Sequence, residues 1–242
     1  LHTKIAVIQG RNDAWKSFGR TSIWSQKGDK WAFNKAMESF DLLKVFYPEN
    51  NVDYCSTDGL FTSTPYGPVD ILPVEASNDV MNQYKALIFL GWNTFDNTDF
   101  IRLKKFVERG GTLLLGAVHM NSELQPDLPA KFPEDDTVIK TLLGIDYKTY
   151  KEKTVIPLGK GRVIYYPENV YPADNLIRKH YIEEMKDIAS GITSEELEKG
   201  WIKASPHINF SVWDTGSMRT LYLLNVDWKS DDISHPADFV LN

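Results

Sequence analysis

Catalysis needs nucleophiles, paired acids and bases, or metal donors at usable spacing, and these 242 residues offer few. Cys55 is the single cysteine. It lies in the turn-rich stretch 52–68 and reads as a buried or inert thiol, with no partner for an internal disulfide. The five histidines are His2, His119, His180, His207 and His235. None forms an H-x-x-x-H or H-E-x-x-H pair, so no metal site is expected. His119 is the most informative, because it stands just past the C-terminal end of an expected strand, where open α/β sheets place ligands. A loop histidine hydrogen-bonded to backbone is the competing reading. A glycosidase would need two carboxyls about 5–10 Å apart across a sugar. The candidates Glu75, Asp96, Asp99, Glu123, Asp135 and Asp136 show no pairing pattern, and Asp135-Asp136 reads as a solvated loop or a helix cap. Gln9-Gly10-Arg11-Asn12-Asp13 sits where a dinucleotide fold carries its glycine fingerprint. Neither G-x-G-x-x-G nor a Walker A loop is present, so no nucleotide and no other cofactor is expected.

Aromatic and polar residues cluster in two further loops. Trp15, Phe18, Arg20 and Trp24 follow the first strand, and Trp92, Asn93, Phe95 and Asp96 follow the third. Both loops open on the same edge of a parallel sheet, so Arg20, Trp24, Trp92, Asn93, Asp96 and His119 are the candidate substrate-rim residues. Two readings stand: a surface that contacts a neighbouring domain or its sugar, or a roof over the core.

The elements that position these residues are legible from periodicity. Short apolar runs at 4–10, 69–74, 86–90 and 112–116 read as strands buried on both faces. Pro73 ends the second or places it near an edge. Helical stripes run through 31–46 (Phe33, Ala36, Met37, Phe40, Leu43), 99–109 (Phe100, Leu103, Phe106, Val107) and 175–188 (Ile177, Tyr181, Met185, Ile188). Shorter helices are expected from Asn78 or Asp79 to Tyr84 and over 137–143, and Gly110-Gly111 closes the helix before the fourth strand. This alternation predicts an α/β fold: a doubly wound, mostly parallel sheet, flavodoxin-like or amidotransferase-like, over residues 1–198. A hairpin is expected at 154–166 around Leu158-Gly-Lys-Gly161. From Trp201 the pattern turns all-β, with strands at 207–213, 219–226 and 238–241. Residues 199–242 therefore read as a small antiparallel β segment that starts a β-sandwich or packs on the α/β domain.

Composition narrows the partners. The net charge of -6 is spread without a basic stripe, which argues against nucleic acid. No apolar run approaches the ~20 residues of a membrane helix, so no membrane span is expected.

The first strand, Ala86 to Gly91, and the passage Glu108-Arg-Gly-Gly111 into Thr112–Gly116 together resemble the class I glutamine amidotransferase fold. In active members the turn after the fourth strand is a strained G-x-C-x-G elbow that holds the nucleophile. Here Gly116 is followed by Ala117 and Val118, whose side chains cannot attack a carbonyl, so the elbow is degenerate. This divergent fold resembles the trimerisation domain of family 42 β-galactosidases and its counterpart in galactosyl-N-acetylhexosamine phosphorylases. The stretch Gly159–Tyr165, the helix from Asn175, and Asn209–Val212 with Thr220–Val226 look like that domain's passage into a β-domain. The resemblance implies a non-catalytic accessory or assembly domain of a bacterial glycoside hydrolase, lining a neighbouring sugar site. Its implied partners are a catalytic barrel in the same polypeptide, further copies in a homo-oligomer, and carbohydrate; its implied compartment is periplasmic or secreted. Two alternatives remain: a stand-alone small-molecule hydrolase on an amidotransferase-like fold using His119 and a nearby acid, and a carbohydrate-binding module using Trp24 and Trp92.

Overall fold

The computed structural model describes residues 3–13, 35–46, 69–124, 131, 136–146, 149–198, 203–204, 208–225 and 239–240. Six strands form the main sheet in the order β2-β1-β3-β4-β6-β5. They are β1 (Ile5–Gln9), β2 (Val69–Pro73), β3 (Ala86–Phe89), β4 (Thr112–Gly116), β5 (Thr154–Leu158) and β6 (Gly161–Tyr166). β1 pairs parallel with β2 and β3, β3 with β4, and β4 with β6; only the β5–β6 pair is antiparallel. The sheet is thus mixed and mostly parallel. β2 is an edge strand and Pro73 its last residue, a place where a missing N–H costs the ladder little.

Alternation along the strands divides the core in two. Ala6, Ile8, Leu87, Phe89, Leu113 and Leu115 face one apolar layer, with Phe100, Leu103, Phe106 and Val107 of α3 (Asn97–Glu108) and Ile139 and Leu143 of α4 (Asp136–Leu143). Ile5, Val7, Ala86, Ile88, Leu114 and Ile164 face the other, with Ile177 and with Tyr181, Met185 and Ile188 of α5 (Arg178–Glu198). Helical layers therefore cover both faces, which is why the middle residues of β1, β3 and β4 are apolar on both faces.

Two expectations are corrected. The stripe at 31–46 does not give one α-helix: within its described part, α1 (Lys35–Glu38) runs into a 3-10 helix at Ser39–Phe46. Phe40, Leu43 and Phe46 recur every three residues, the spacing that aligns side chains on a 3-10 helix. The Ser39 hydroxyl donates to the Lys35 carbonyl at 2.7 Å and accepts the Ala173 N–H at 2.9 Å, competing with α-helical bonding. The short α2 (Asn78–Met81) stops before Tyr84, and its N-cap is Ser77, without a side-chain cap. The hairpin expected at 154–166 forms, and it extends the main sheet.

Close packing explains how the hairpin joins the sheet. A two-residue turn, Gly159-Lys160, joins β5 to β6, with Gly159 at φ 62°, a conformation that favours glycine. Its tip docks on the joint between α3 and β4. Lys160 N–H donates to the Glu108 carbonyl at 3.0 Å, and Arg162 N–H to the Gly111 carbonyl at 3.2 Å. A Cβ on Gly161 would stand 2.2 Å from both the Gly111 and Val107 carbonyl oxygens. Only a glycine lets β6 come this close and start in register with β4.

Beyond the main sheet, β8 (Ile208–Asp214) and β9 (Arg219–Asn225) form an antiparallel pair, and β7 (Lys203–Ala204) pairs antiparallel with β10 (Phe239–Val240).

Two glycine substitutions separate close packing from chain entropy. Gly161→Ala is expected to lower the unfolding free energy by about 3 kcal/mol through overpacking. Gly191→Ala in α5, where a Cβ meets nothing within 4 Å, is expected to raise it by up to ~1 kcal/mol. Urea denaturation of both variants checks the opposite signs.

Candidate functional site

The tips of β1, β3, β4 and β6 converge at the C-terminal edge of the sheet, and buried backbone hydrogen bonds decide how they sit. β1 leaves the sheet through Gly10, where a Cβ would stand 2.0 Å from the Trp92 carbonyl oxygen. Gly10 is therefore required for close approach of the β1 and β3 tips. Asn12 follows at φ 66°, a left-handed conformation asparagine tolerates better than most residues. Its Nδ2 donates to Thr94 Oγ1 at 3.2 Å.

Asn93, 1% exposed, is the clasp. Its Oδ1 accepts the Arg11 N–H at 2.9 Å, and its Nδ2 donates to the His119 carbonyl at 2.7 Å. The loops after β1, β3 and β4 are thereby joined through one side chain. Thr94 N–H donates to the Arg11 carbonyl at 3.1 Å and Phe95 N–H to the Asn121 carbonyl at 2.7 Å, which extends the same seam. Trp92, 4% exposed, directs its indole N–H to Thr94 Oγ1 at 3.1 Å.

His119 is fully buried on a 3-10 turn at Ala117–Met120. Its Nδ1 accepts the Gly116 N–H at 2.8 Å, so Nε2 carries the proton and points at the Leu90 carbonyl, 3.5 Å away. Burial pushes its pKa down to about 4, against the raising effect of the two backbone partners. A neutral imidazole with both nitrogens facing backbone has no free lone pair for a substrate proton. Ala117 and Val118 are 3% and 4% exposed, and among the described residues Asn12 is the one non-glycine at positive φ. The turn after β4 therefore has neither a nucleophilic side chain nor the left-handed strain of an elbow.

Asp96 caps α3. Its Oδ1 accepts Thr98 N–H at 2.8 Å and Asp99 N–H at 3.3 Å. Burial pushes its carboxyl up, but those two amides and the Arg11 charge outweigh it and hold the pKa below the usual range. Asp99, buried within α3, takes a two-pronged bond from Arg11, Nε at 2.8 Å and a terminal nitrogen at 3.0 Å, and another from Arg102. This fixes the β1 tip to the start of α3.

The structure thus brings Trp92, Asn93 and His119 together, beneath the surface, with Asp96 at the margin. Arg20 and Trp24 lie outside the described residues, as do Trp15, Phe18 and Cys55. Two residues at this edge escaped the sequence reading. Asp13 follows β1, and its N–H donates to the Gly10 carbonyl at 3.2 Å. Burial raises its carboxyl pKa to about 7, partly opposed by the Trp92 backbone N–H. Tyr171 follows β6; its ring lies 6.1 Å from His119 and 6.4 Å from Trp92, centroid to centroid. Burial, then the Asp13 charge, raises its hydroxyl pKa. Asp13 was visible in the run 9–13, whereas Tyr171 joins the edge only because β6 pairs with β4. Among the described residues, no group of three or more His, Cys, Asp or Glu stands where it could hold a metal ion. No described helix is long and apolar enough to cross a membrane.

No family model matches the chain, and no curated protein matches it. Among solved structures it is similar to Gan42B, a GH42 β-galactosidase from G. stearothermophilus. The identity is 12%, the TM-score 0.46, and the match covers 93% of this chain and 34% of that one. A β-galactosidase from Bacillus circulans sp. alkalophilus matches at 11% identity and TM-score 0.47, over 93% and 35% of the two chains. The exo-β-1,4-mannosidase Op5Man5 from Opitutaceae bacterium strain TAV5 matches at 10% identity and TM-score 0.33, over 81% and 36%. The chain spans about a third of the length of each.

Asn93→Ala should cost about 3 kcal/mol in urea denaturation, since it strands the Arg11 N–H and the His119 carbonyl in the interior. The titrations of His119 and Asp13 oppose each other. Neutral buried His119 contributes stability that is complete above its unfolded pKa of 6.5 and is lost as pH falls towards about 4. Asp13, raised from 3.8 to about 7, costs nothing at low pH; its cost grows across that interval as the unfolded chain ionises first. Asp13→Asn should therefore gain on the parent by about 4 kcal/mol between those two pH values. A difference that stays flat across a pH series of denaturation curves would contradict the burial of this carboxyl.

Proposed function

We propose that this chain is a non-catalytic accessory domain of a larger carbohydrate-active enzyme. The observation that carries the reading is the turn after β4. Where an amidotransferase-like fold would present a nucleophile, Ala117 and Val118 are buried apolar groups, and His119 behind them is neutral with both nitrogens facing backbone. Acyl transfer needs a nucleophile and a base with a free lone pair, and this turn supplies neither. The stand-alone hydrolase reading asks His119 for a role its geometry does not fit.

The finer architectural reading accompanies this one: a doubly wound, amidotransferase-like domain over residues 1–198 and a β segment over 199–242. Strand order β2-β1-β3-β4 with helices on both faces supports it, as does the sequence resemblance at 86–91 and 108–116. On this reading the partners are a catalytic barrel of the same polypeptide, with the surface around Asp96 turned towards it, and further copies of the chain. Arg20 and Trp24 belong to that contact, whereas Trp92 lies beneath it.

The purified chain is expected to show no glutaminase and no glycosidase turnover above the buffer rate on chromogenic galactosides, glucosides and mannosides. Turnover that is abolished by His119→Ala would overturn the accessory reading in favour of a self-contained hydrolase.

A further inference from the structure

The turn after β4 is held by a histidine that keeps its bonds only while neutral. His119 is fully buried, its Nδ1 accepts the Gly116 N–H at 2.8 Å, and its Nε2 faces the Leu90 carbonyl at 3.5 Å. An imidazolium carries a proton on both nitrogens and accepts nothing. Protonation would therefore set N–H against N–H at Gly116 and bury a charge in an apolar place.

Nothing on the surrounding elements stands ready to offset that charge. The ring packs on Phe89 of β3 at 5.3 Å and on Tyr171 after β6 at 6.1 Å, centroid to centroid, and no described carboxylate bonds either ring nitrogen. Asp99 is held by Arg11 and Arg102, and Asp96 by two amides of α3. Glu123, after the turn, pairs with Lys131 at 3.1 Å. The Tyr181 hydroxyl of α5 donates to the Phe89 carbonyl at 2.6 Å, and the Tyr166 hydroxyl of β6 to the His180 carbonyl at 3.0 Å. Glu168, after β6, acts by its charge on Tyr165 and Tyr166. Asp13, after β1, takes up its proton at about 7, so it is neutral before His119 titrates.

The turn is also tied to its neighbours. The His119 carbonyl accepts Asn93 Nδ2 at 2.7 Å, and Asn93 Oδ1 accepts the Arg11 N–H at 2.9 Å. A shift of the turn thus pulls on the loops after β3 and β1. The strands below keep their own ladders and apolar layers, which do not use the imidazole.

We propose that His119 is an acid-released latch: protonating its imidazole parts the loops after β1, β3 and β4 and uncovers Trp92, while the six-stranded sheet stays folded. The sign follows from the two proton affinities. In the open edge the imidazole titrates near its ordinary 6.5 and in the closed edge at about 4, so the closed edge is favoured above 6.5 and loses ground as pH falls. Over that interval the opening equilibrium rises about tenfold per pH unit, to a limit of roughly 300-fold. The latch operates whether or not the chain is catalytic, so it stands apart from the accessory reading.

The test is amide hydrogen exchange of the protein by NMR between pH 7 and pH 4, corrected for intrinsic rates. The amides of Arg11, Thr94, Phe95 and Gly116 report the seam, because their bonds cross it. Those of Val7, Ile88 and Leu114, in the middle of β1, β3 and β4, report the sheet. Seam protection is expected to fall by up to roughly 300-fold relative to the sheet. The imidazole nitrogen shifts of His119 should show the Nε2–H form at pH 7, gaining a proton only well below 6.5. His119→Gln keeps an acceptor and does not titrate, so it should abolish the pH dependence. Asp13→Asn should leave it in place. Equal loss in seam and sheet would overturn the proposal as global unfolding, and constant seam protection would overturn it outright. An opening that persists in His119→Gln or vanishes in Asp13→Asn would move the trigger elsewhere. Should His119→Gln not fold, the parent's ring titration decides: a His119 protonated at its ordinary pH with the seam still closed would sink the latch.

Discussion

Everything at the C-terminal edge depends on satisfying backbone groups that three adjacent strands leave buried at their tips. Asn93 meets most of that demand: one amide side chain accepts from the loop after β1 and donates to the turn after β4. A buried N–H or carbonyl without a partner costs as much as a typical point mutation, so the three loops have little freedom to separate. His119 serves the same purpose from the other direction, taking the Gly116 N–H on Nδ1. Its low pKa is the consequence of that burial and not a sign of acid–base work. The case shows how a perturbed titration can report packing as readily as function.

The same edge contrasts used and unused polarity. Asp96, Asp99, Asn93 and His119 are bonded to amides, carbonyls or guanidinium groups. Asp13, Asn121, Glu168 and Tyr171 each keep one atom unbonded in the interior. The aromatic rings of Trp92, His119 and Tyr171 meet at this edge.

Glycines supply the second constraint, by distance more than by flexibility. Gly10 lets β1 pass the Trp92 carbonyl, and Gly161 lets β6 pass the carbonyls of Val107 and Gly111. The second contact carries more weight for the architecture. It seats the hairpin on the joint between α3 and β4, brings β6 into parallel register with β4, and so delivers Tyr171 to the edge.

Periodicity made much of this fold readable. β1, β2, β3 and β4 fall within a residue or two of their apolar runs, and the buried stripes of α3 and α5 are the ones their spacing implies, because burial on a strand or helix repeats locally along the chain. The missing nucleophile after β4 was equally plain, since it depends on residue identity alone. Tertiary contacts decided the rest. The 3-10 turn at 39–46 is tied by Ser39 to Ala173, which is 134 residues away. Whether the hairpin at 154–166 stood apart or joined the sheet turned on carbonyls of α3 meeting Gly161. Whether His119, Trp92 and Asn93 faced solvent or the interior turned on how four strand tips pack. Such contacts join residues far apart in sequence and leave no period along it, so only the folded chain brings them into view.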